Sequence, residues 1–135
     1  MNAPFTPPQI YRLRAPNSPS SPKVCRDTVA LLLQATGHHE LSDTARLLVS
    51  ELVTNVNLHT SSLAVRLEAV VRRDRIRVRV YDDEPGSPQL PATDPGREHG
   101  RGLLLVEAMA QDWGVGSSHP SDSSGRGGKH VWFEL

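Results

Sequence analysis

Apolar residues recur along this chain with two periods, one typical of helices and one typical of strands. Between Ser42 and about His59 they follow helical spacing and predict an amphipathic helix, which Ser42 or Asp43 caps; the apolar stripe is Ala45, Leu48, Val49, Leu52, Val53 and Val56. An earlier helix is predicted over residues 23–35, before Gly37, with apolar positions at Val24, Val29, Leu31, Leu32 and Leu33.

Alternation of apolar and polar residues predicts strands over residues 62–71 and 75–82, joined by a hairpin at "RRDR". Shorter runs predict a first strand over residues 9–14, a third helix at "GLLLVEAMAQDW", and two further strands that begin at "WGVGS" and "KHVWFEL". This order of elements predicts a two-layer α+β fold, with the helices on one face of a mixed, mostly antiparallel sheet.

Length and composition narrow the picture. A chain of 135 residues is sufficient for one core, so we expect a single domain over residues 9–135 after a Pro-rich, disordered segment over residues 1–8. Fifteen Lys and Arg residues balance 15 Asp and Glu residues, which gives no reason to expect nucleic acid or a membrane as a partner. The lone Cys25 is expected to be buried, and without an apolar leader or membrane span in view we expect a cytoplasmic protein.

Three polar residues share one ridge of the predicted second helix. Glu51, Asn55 and His59 are four residues apart, and such positions differ by only about 40° around the helix axis. A carboxamide oxygen suits Mg²⁺ that also binds phosphate, and a nearby carboxylate can act as a general base. The alternative is that all three are ordinary solvent-facing residues.

Two further features carry chemistry beyond this helix. Asp82 ends a strand, where its carboxylate can accept a hydrogen bond from a base amine or simply form a turn. The long Pro- and Gly-rich stretch "DEPGSPQLPATDPGREHG" predicts a mobile lid. Gly100 and Gly102 come just before the third predicted helix, whose free N–H groups suit a phosphate, although a hinge of the lid explains them equally well.

Two other patterns are set aside. "SSGRGGKH" lacks the first Gly and the final Ser or Thr of a P-loop. The neighbouring His38 and His39 have no Cys or third His nearby, so we expect them to be solvated rather than to bind a metal.

Taken in order, these features resemble the GHKL ATPase superfamily. The stretches "ARLLVSELVTNVNLHT", "VRVYDDEPGSP", "HGRGLLLVEAMAQDWGV" and "GGKHVWFEL" are similar to the small actinobacterial ATP-binding proteins related to anti-sigma-factor serine/threonine kinases. The resemblance covers residues 22–135 and implies a Bergerat-type fold that binds ATP and Mg²⁺ between the sheet and the helices. It also implies phosphorylation of an anti-anti-sigma (STAS-type) protein and binding of a sigma factor, and homodimers are common among such relatives.

The resemblance implies roles for single residues. Asn55 matches the Mg²⁺ ligand, Glu51 the general base and Asp82 the adenine-binding residue. Further nucleotide contacts are expected from Gly86 in the lid and from His59 on the shared ridge. The start of the third helix is expected to contribute Gly100, Arg101 and Gly102.

Departures from the pattern leave alternatives open. Glu84 replaces the first Gly of the lid motif, Glu98 stands where such kinases often carry a cation, and His130 replaces a Thr. Loss of a cation near the phosphates removes transition-state stabilisation, so the alternative function is a catalytically weak, nucleotide-dependent binding module. An excised histidine-kinase catalytic domain is a third possibility, disfavoured because no His-bearing dimerisation helix is predicted.

Overall fold

The chain folds into one five-stranded sheet with helices on one side. A computed structural model describes residues 7–83, 98–117 and 129–135. Its elements are β1 (Gln9–Pro16), α1 (Ser21–Ala35), a short 3-10 helix (His39–Leu41), α2 (Ser42–His59), β2 (Ala64–Val71), β3 (Ile76–Asp82), α3 (Glu98–Met109), β4 (Asp112–Ser117) and β5 (Lys129–Glu134). Two predicted regions lie outside the described residues: nearly all of the predicted lid, which includes Gly86, and residues 1–6 of the N-terminal segment.

The strands lie in the order β1-β2-β3-β5-β4, and every pair of neighbours is antiparallel. The predicted hairpin is confirmed, because β2 and β3 pair and the N–H of Arg72 donates to the carbonyl of Arg75 at 2.8 Å. β5 lies between β3 and β4, although it comes last of the described strands along the chain. The expected α+β class, with a largely antiparallel sheet, is therefore confirmed.

The core lies between the sheet and α2. In β3 the buried residues Ile76, Val78 and Val80 alternate with half-buried Arg77 and Arg79, so one side of this strand faces the helices. All six residues predicted for the apolar stripe of α2 are buried. The period of the stripe in the sequence thus identified the correct face of this helix.

The prediction for α1 was only partly correct. Cys25, Val29 and Leu33 form its buried stripe at a spacing of four residues, and burial raises the pKa of the Cys25 thiol. Val24 and Leu31, two of the apolar positions from which the helix was predicted, are 50% and 66% exposed. Val24 is about 100° around the axis from Cys25, and Leu31 is about 160° from Val29 and Leu33, so both lie away from the face of α1 that packs on α2.

The predicted cap of α2 is wrong. The 3-10 helix runs directly into α2, Leu41 occupies the cap position, and no side chain caps the helix. The hydroxyl of Ser42 instead donates to the carbonyl of His39 at 2.8 Å. His38 was expected to be solvated but is 6% exposed, and its N–H donates to the carbonyl of Leu33 at 2.8 Å.

The side of the sheet opposite the core, here called the outer face, carries charged and aromatic residues. Strand register and alternation place these residues on it: Arg12, Arg14, Arg66, Glu68, Arg77, Arg79, Tyr81, His130, Trp132 and Glu134. Among the described residues, no helix is long and apolar enough to span a membrane.

Candidate functional site

The ridge predicted on α2 lies at the border of the core. Glu51 and Asn55 are half-buried, whereas His59, the last residue of the helix, is exposed. Buried Leu52 and Val56 follow Glu51 and Asn55 directly in the sequence, so both polar side chains emerge beside the apolar stripe. In the part of the chain that the structure describes, neither side chain is engaged in a hydrogen bond or ion pair, which leaves both free to contact a ligand.

Asp82 lies at the end of the core-facing side of β3. It continues the alternation of Ile76, Val78 and Val80 and is only 6% exposed. A carboxylate placed this deep in the fold is costly unless it accepts hydrogen bonds. Its placement is thus typical of an internal acceptor site rather than of the exposed turn that the sequence alone also allowed.

Ser62 joins the ends of α2 and β3. Its hydroxyl accepts a hydrogen bond from the N–H of Asp83 at 2.9 Å and donates one to the carbonyl of Ala64 at 2.8 Å. Ser62 comes three positions after His59, so their Cα atoms are at most about 11 Å apart, and Asn55 lies about one turn, about 6 Å, before His59 along the axis. The ridge of α2 and the carboxylate of Asp82 therefore belong to the same end of the molecule.

Two asparagines fix this junction from the other side. The Nδ2 of Asn17 donates to the carbonyl of Ser62 at 2.8 Å, and the Nδ2 of Asn57 donates to the carbonyl of Ser18 at 2.9 Å. Sequence reasoning missed both residues, as it missed Ser62. Asn17 follows β1, and Asn57 lies in the last turn of α2. Their partners are 45 and 39 residues away, respectively, and no local spacing reveals such pairs.

Lys129 adds a cation beside Asp82. The two residues are direct cross-strand partners in the β3–β5 pair, which places both side chains on the core-facing side of the sheet. Lys129 is half-buried. Sequence reasoning gave it no role, because its position opposite Asp82 follows only from the register of two strands that are far apart in the chain.

His130 lies outside this site, although its position was considered in the sequence as part of it. It pairs with Tyr81 and Gly116 on the outer face, and its ring centroid is 5.2 Å from that of Tyr81. Burial, followed by the charge of Arg79, lowers the pKa of His130, while the charge of Glu68 raises it. The replacement of Thr by His at this position therefore leaves the core-facing side of the sheet unchanged.

The two glycines expected to precede the third helix lie within it. α3 begins at Glu98, so Gly100 and Gly102 belong to its first turns, and the predicted helix start is wrong. The first four N–H groups of a helix lack helical partners, and here they belong to residues 98–101, which include Gly100 and Arg101.

α3 packs against α2, the helix that carries Asn55. Its residue Val106 is fully buried, at 0% exposure, and belongs to the same core as Val53 and Phe133. The position of the helix is therefore set by the core and not by the site residues themselves.

The donor set suits a metal that is shared with a ligand. Among the described residues, no group of three His, Cys, Asp or Glu side chains forms a metal site. Mg²⁺ usually keeps several waters and takes only one or two protein ligands together with phosphate oxygens. The carboxamide oxygen of Asn55, half-buried and available, fits that role.

Comparison with known families agrees with this geometry. A family profile described as a histidine kinase-like ATPase domain matches residues 16–134, which includes every site residue named above. Comparison with curated proteins finds no match. The chain therefore belongs to the histidine kinase-like ATPase domain family, whose members bind ATP.

Proposed function

We propose that this protein is an ATP-dependent regulator that phosphorylates Ser or Thr on an anti-anti-sigma partner, with Mg²⁺ as the cofactor. The observation that carries the proposal is the junction at Ser62, which holds buried Asp82 at the same end of the fold as Asn55. This proximity supports a site in which Asp82 would bind the base and Asn55 the metal of one nucleotide.

Each side chain has one role in the transfer. The carboxylate of Asp82 accepts a hydrogen bond from the exocyclic amine of adenine, and the oxygen of Asn55 holds Mg²⁺ against the phosphates. The metal supplies charge neutralisation on the phosphate oxygens. Glu51 lies one turn before Asn55 and accepts the proton of the attacking hydroxyl as its oxygen bonds to the γ-phosphorus and ADP leaves.

Calorimetric titration with ATP, with and without Mg²⁺, tests the binding step. Asn55→Ala should abolish the effect of Mg²⁺ on ATP affinity, whereas Asn57→Ala should keep it. The control makes the same substitution on the same helix, but Asn57 donates to Ser18 and serves the fold. Equal Mg²⁺ dependence in wild type and in Asn55→Ala would show that Asn55 does not bind the metal.

Transfer from labelled ATP to an anti-anti-sigma protein tests the chemical step. Glu51→Ala should bind ATP and transfer no label, whereas Glu40→Ala, at an exposed site in the 3-10 helix, should transfer normally. Full transfer by Glu51→Ala would show that Glu51 is not the general base.

A second candidate function is a binding module that uses ATP only to set its affinity for a partner. It is favoured by Glu84 and Glu98, acidic residues that stand in the sequence where the family resemblance leads us to expect a Gly and a cation. Under this alternative ATP binds, but no cognate partner becomes phosphorylated. Binding of a sigma factor and formation of a homodimer belong to both candidates and rest on the family resemblance.

A further inference from the structure

The outer face concentrates arginines on the side of the sheet opposite the proposed ATP site. Their side chains remain accessible, with 73% of Arg12, 38% of Arg66 and 34% of Arg77 exposed. The whole chain has a formal net charge of zero, so this concentration is local. A surface of this kind attracts an oppositely charged partner.

Two of these arginines rest on aromatic rings. The guanidinium carbon of Arg77 is 4.3 Å from the centroid of the Trp132 ring, and that of Arg66 is 5.3 Å from the centroid of the Tyr81 ring. Stacking restricts the rotamers of a long side chain, so less entropy is lost when such a guanidinium binds a partner. Arg, Trp and Tyr are also the residues enriched at binding hot spots.

The carboxylates of this face do not balance the arginines. Glu68 is shared between Arg12 at 3.2 Å and Arg79 at 3.0 Å. Glu134 is likewise shared between Arg75 at 3.3 Å and Arg77 at 2.9 Å. Even with Asp83, which pairs with Arg66, and Asp112 at the β4 edge, the described residues of the outer face include more arginines than carboxylates.

One cross-strand pair of the outer face brings two arginines together. Arg14 and Arg66 lie directly opposite each other in the antiparallel pair β1–β2. Like charges in such positions destabilise a sheet. In the part of the chain that the structure describes, Arg14 forms no ion pair, whereas Arg66 pairs with Asp83 at 3.3 Å, which offsets only part of the repulsion. A carboxylate placed between the two guanidiniums would turn this repulsion into charge-assisted hydrogen bonds.

We propose that the outer face docks an extended acidic segment of a protein partner, with one carboxylate seated between Arg14 and Arg66. A second copy that docks through the same face fits poorly, because both copies would bring the same excess of arginines to the contact. A nucleic acid strand fits less well than a peptide, since it carries a phosphate at every nucleotide and cannot avoid Glu68 and Glu134. The surface adds a partner site to the proposed regulator and does not depend on ATP binding.

The test is a nuclear magnetic resonance titration of the full ¹⁵N-labelled chain with a blocked peptide of alternating Glu and Thr. We expect shifts at the Trp132 indole and at the amides of β2 and β3, and no binding of a peptide of alternating Lys and Thr. Arg14→Glu should weaken binding by about fivefold or more. The matched control Arg73→Glu, in the exposed hairpin off this face, should leave binding unchanged.

Three results would overturn the proposal: no shifts on the outer face, equal loss in both variants, or tighter binding of an oligothymidylate than of the acidic peptide. ATP titration of the same variants separates the two hypotheses. If Arg14→Glu keeps its affinity for ATP, its loss of peptide binding is local to the outer face. If the wild type does not bind ATP, the proposed function is wrong, but the peptide titration still tests the docking surface.

Discussion

The hydroxyl oxygen of Ser62 accepts a hydrogen bond from the backbone N–H of Asp83 at 2.9 Å, although the two residues are 21 positions apart in the chain. Through this bond the end of α2 fixes the end of β3, where Asp82 is buried. A single hydroxyl therefore links the helix that carries Asn55 to the strand that carries the proposed base-binding carboxylate.

Replacement of Ser62 by Ala should lower both stability and ATP affinity. Loss of the hydroxyl leaves the N–H of Asp83 and the carbonyl of Ala64 without this partner, and a buried unsatisfied group costs about 1–3 kcal/mol. Denaturant unfolding and ATP titration measure the two effects. Ser61→Ala, at the neighbouring exposed position, is the control, and equal behaviour of the two variants would show that the bond does not position Asp82.

Asp82→Asn should weaken ATP binding by about tenfold or more, because a hydrogen bond to a charged acceptor is replaced by one to a neutral acceptor. Asp83→Asn makes the same change in charge one residue away, where the carboxylate pairs with Arg66 at 3.3 Å on the outer face. Its effect on ATP affinity should be small. Comparable losses in the two variants would point to a general electrostatic effect and away from recognition by Asp82.

How much of this site the sequence predicts depends on whether a feature is local. The buried stripe of α2 and the inward side of Asp82 follow from periods of 3.6 and 2, which are properties of single elements. Other features depend on partners far along the chain. These are the junction at Ser62, the hydrogen bonds of Asn17 and Asn57, and the placement of Lys129 beside Asp82. Those relationships arise from strand register and packing, so residue spacing alone could not predict them.

Gly114→Ala should destabilise the fold through Trp132. A Cβ at position 114 would lie 2.7 Å from Nε1 of the Trp132 ring, which is too close for any real contact. Overpacking of this kind costs about 1–3 kcal/mol. In a double-mutant cycle with Trp132→Ala, measured by thermal unfolding, the penalty should shrink because the ring is gone. Strictly additive effects would contradict the clash.

Stability should fall as the pH drops below about 6.5, and His130 should contribute to that fall. Burial and the charge of Arg79 lower its pKa in the folded chain, although Glu68 opposes them. The unfolded imidazole takes up its proton near its ordinary pKa of 6.5 and the folded one only at lower pH, so acid favours the unfolded state.

A variant without this imidazole should show a shallower loss. Denaturant midpoints between neutral pH and about pH 5 would measure His130→Gln against wild type, since the slope reports the difference in bound protons. His39→Gln, at an exposed position in the 3-10 helix, is the matched control. An unchanged slope in His130→Gln would show that this group does not set the acid sensitivity.

The position of β5 also governs the order in which the protein can be assembled during synthesis. β3 leaves the ribosome well before residues 129–134, yet the edge of β3 that faces away from β2 is paired only when β5 arrives. Until then a nascent chain presents a bare strand edge, the kind of surface that invites aggregation and chaperone binding. Emergence of β5 is thus the event that protects the exposed edge of β3.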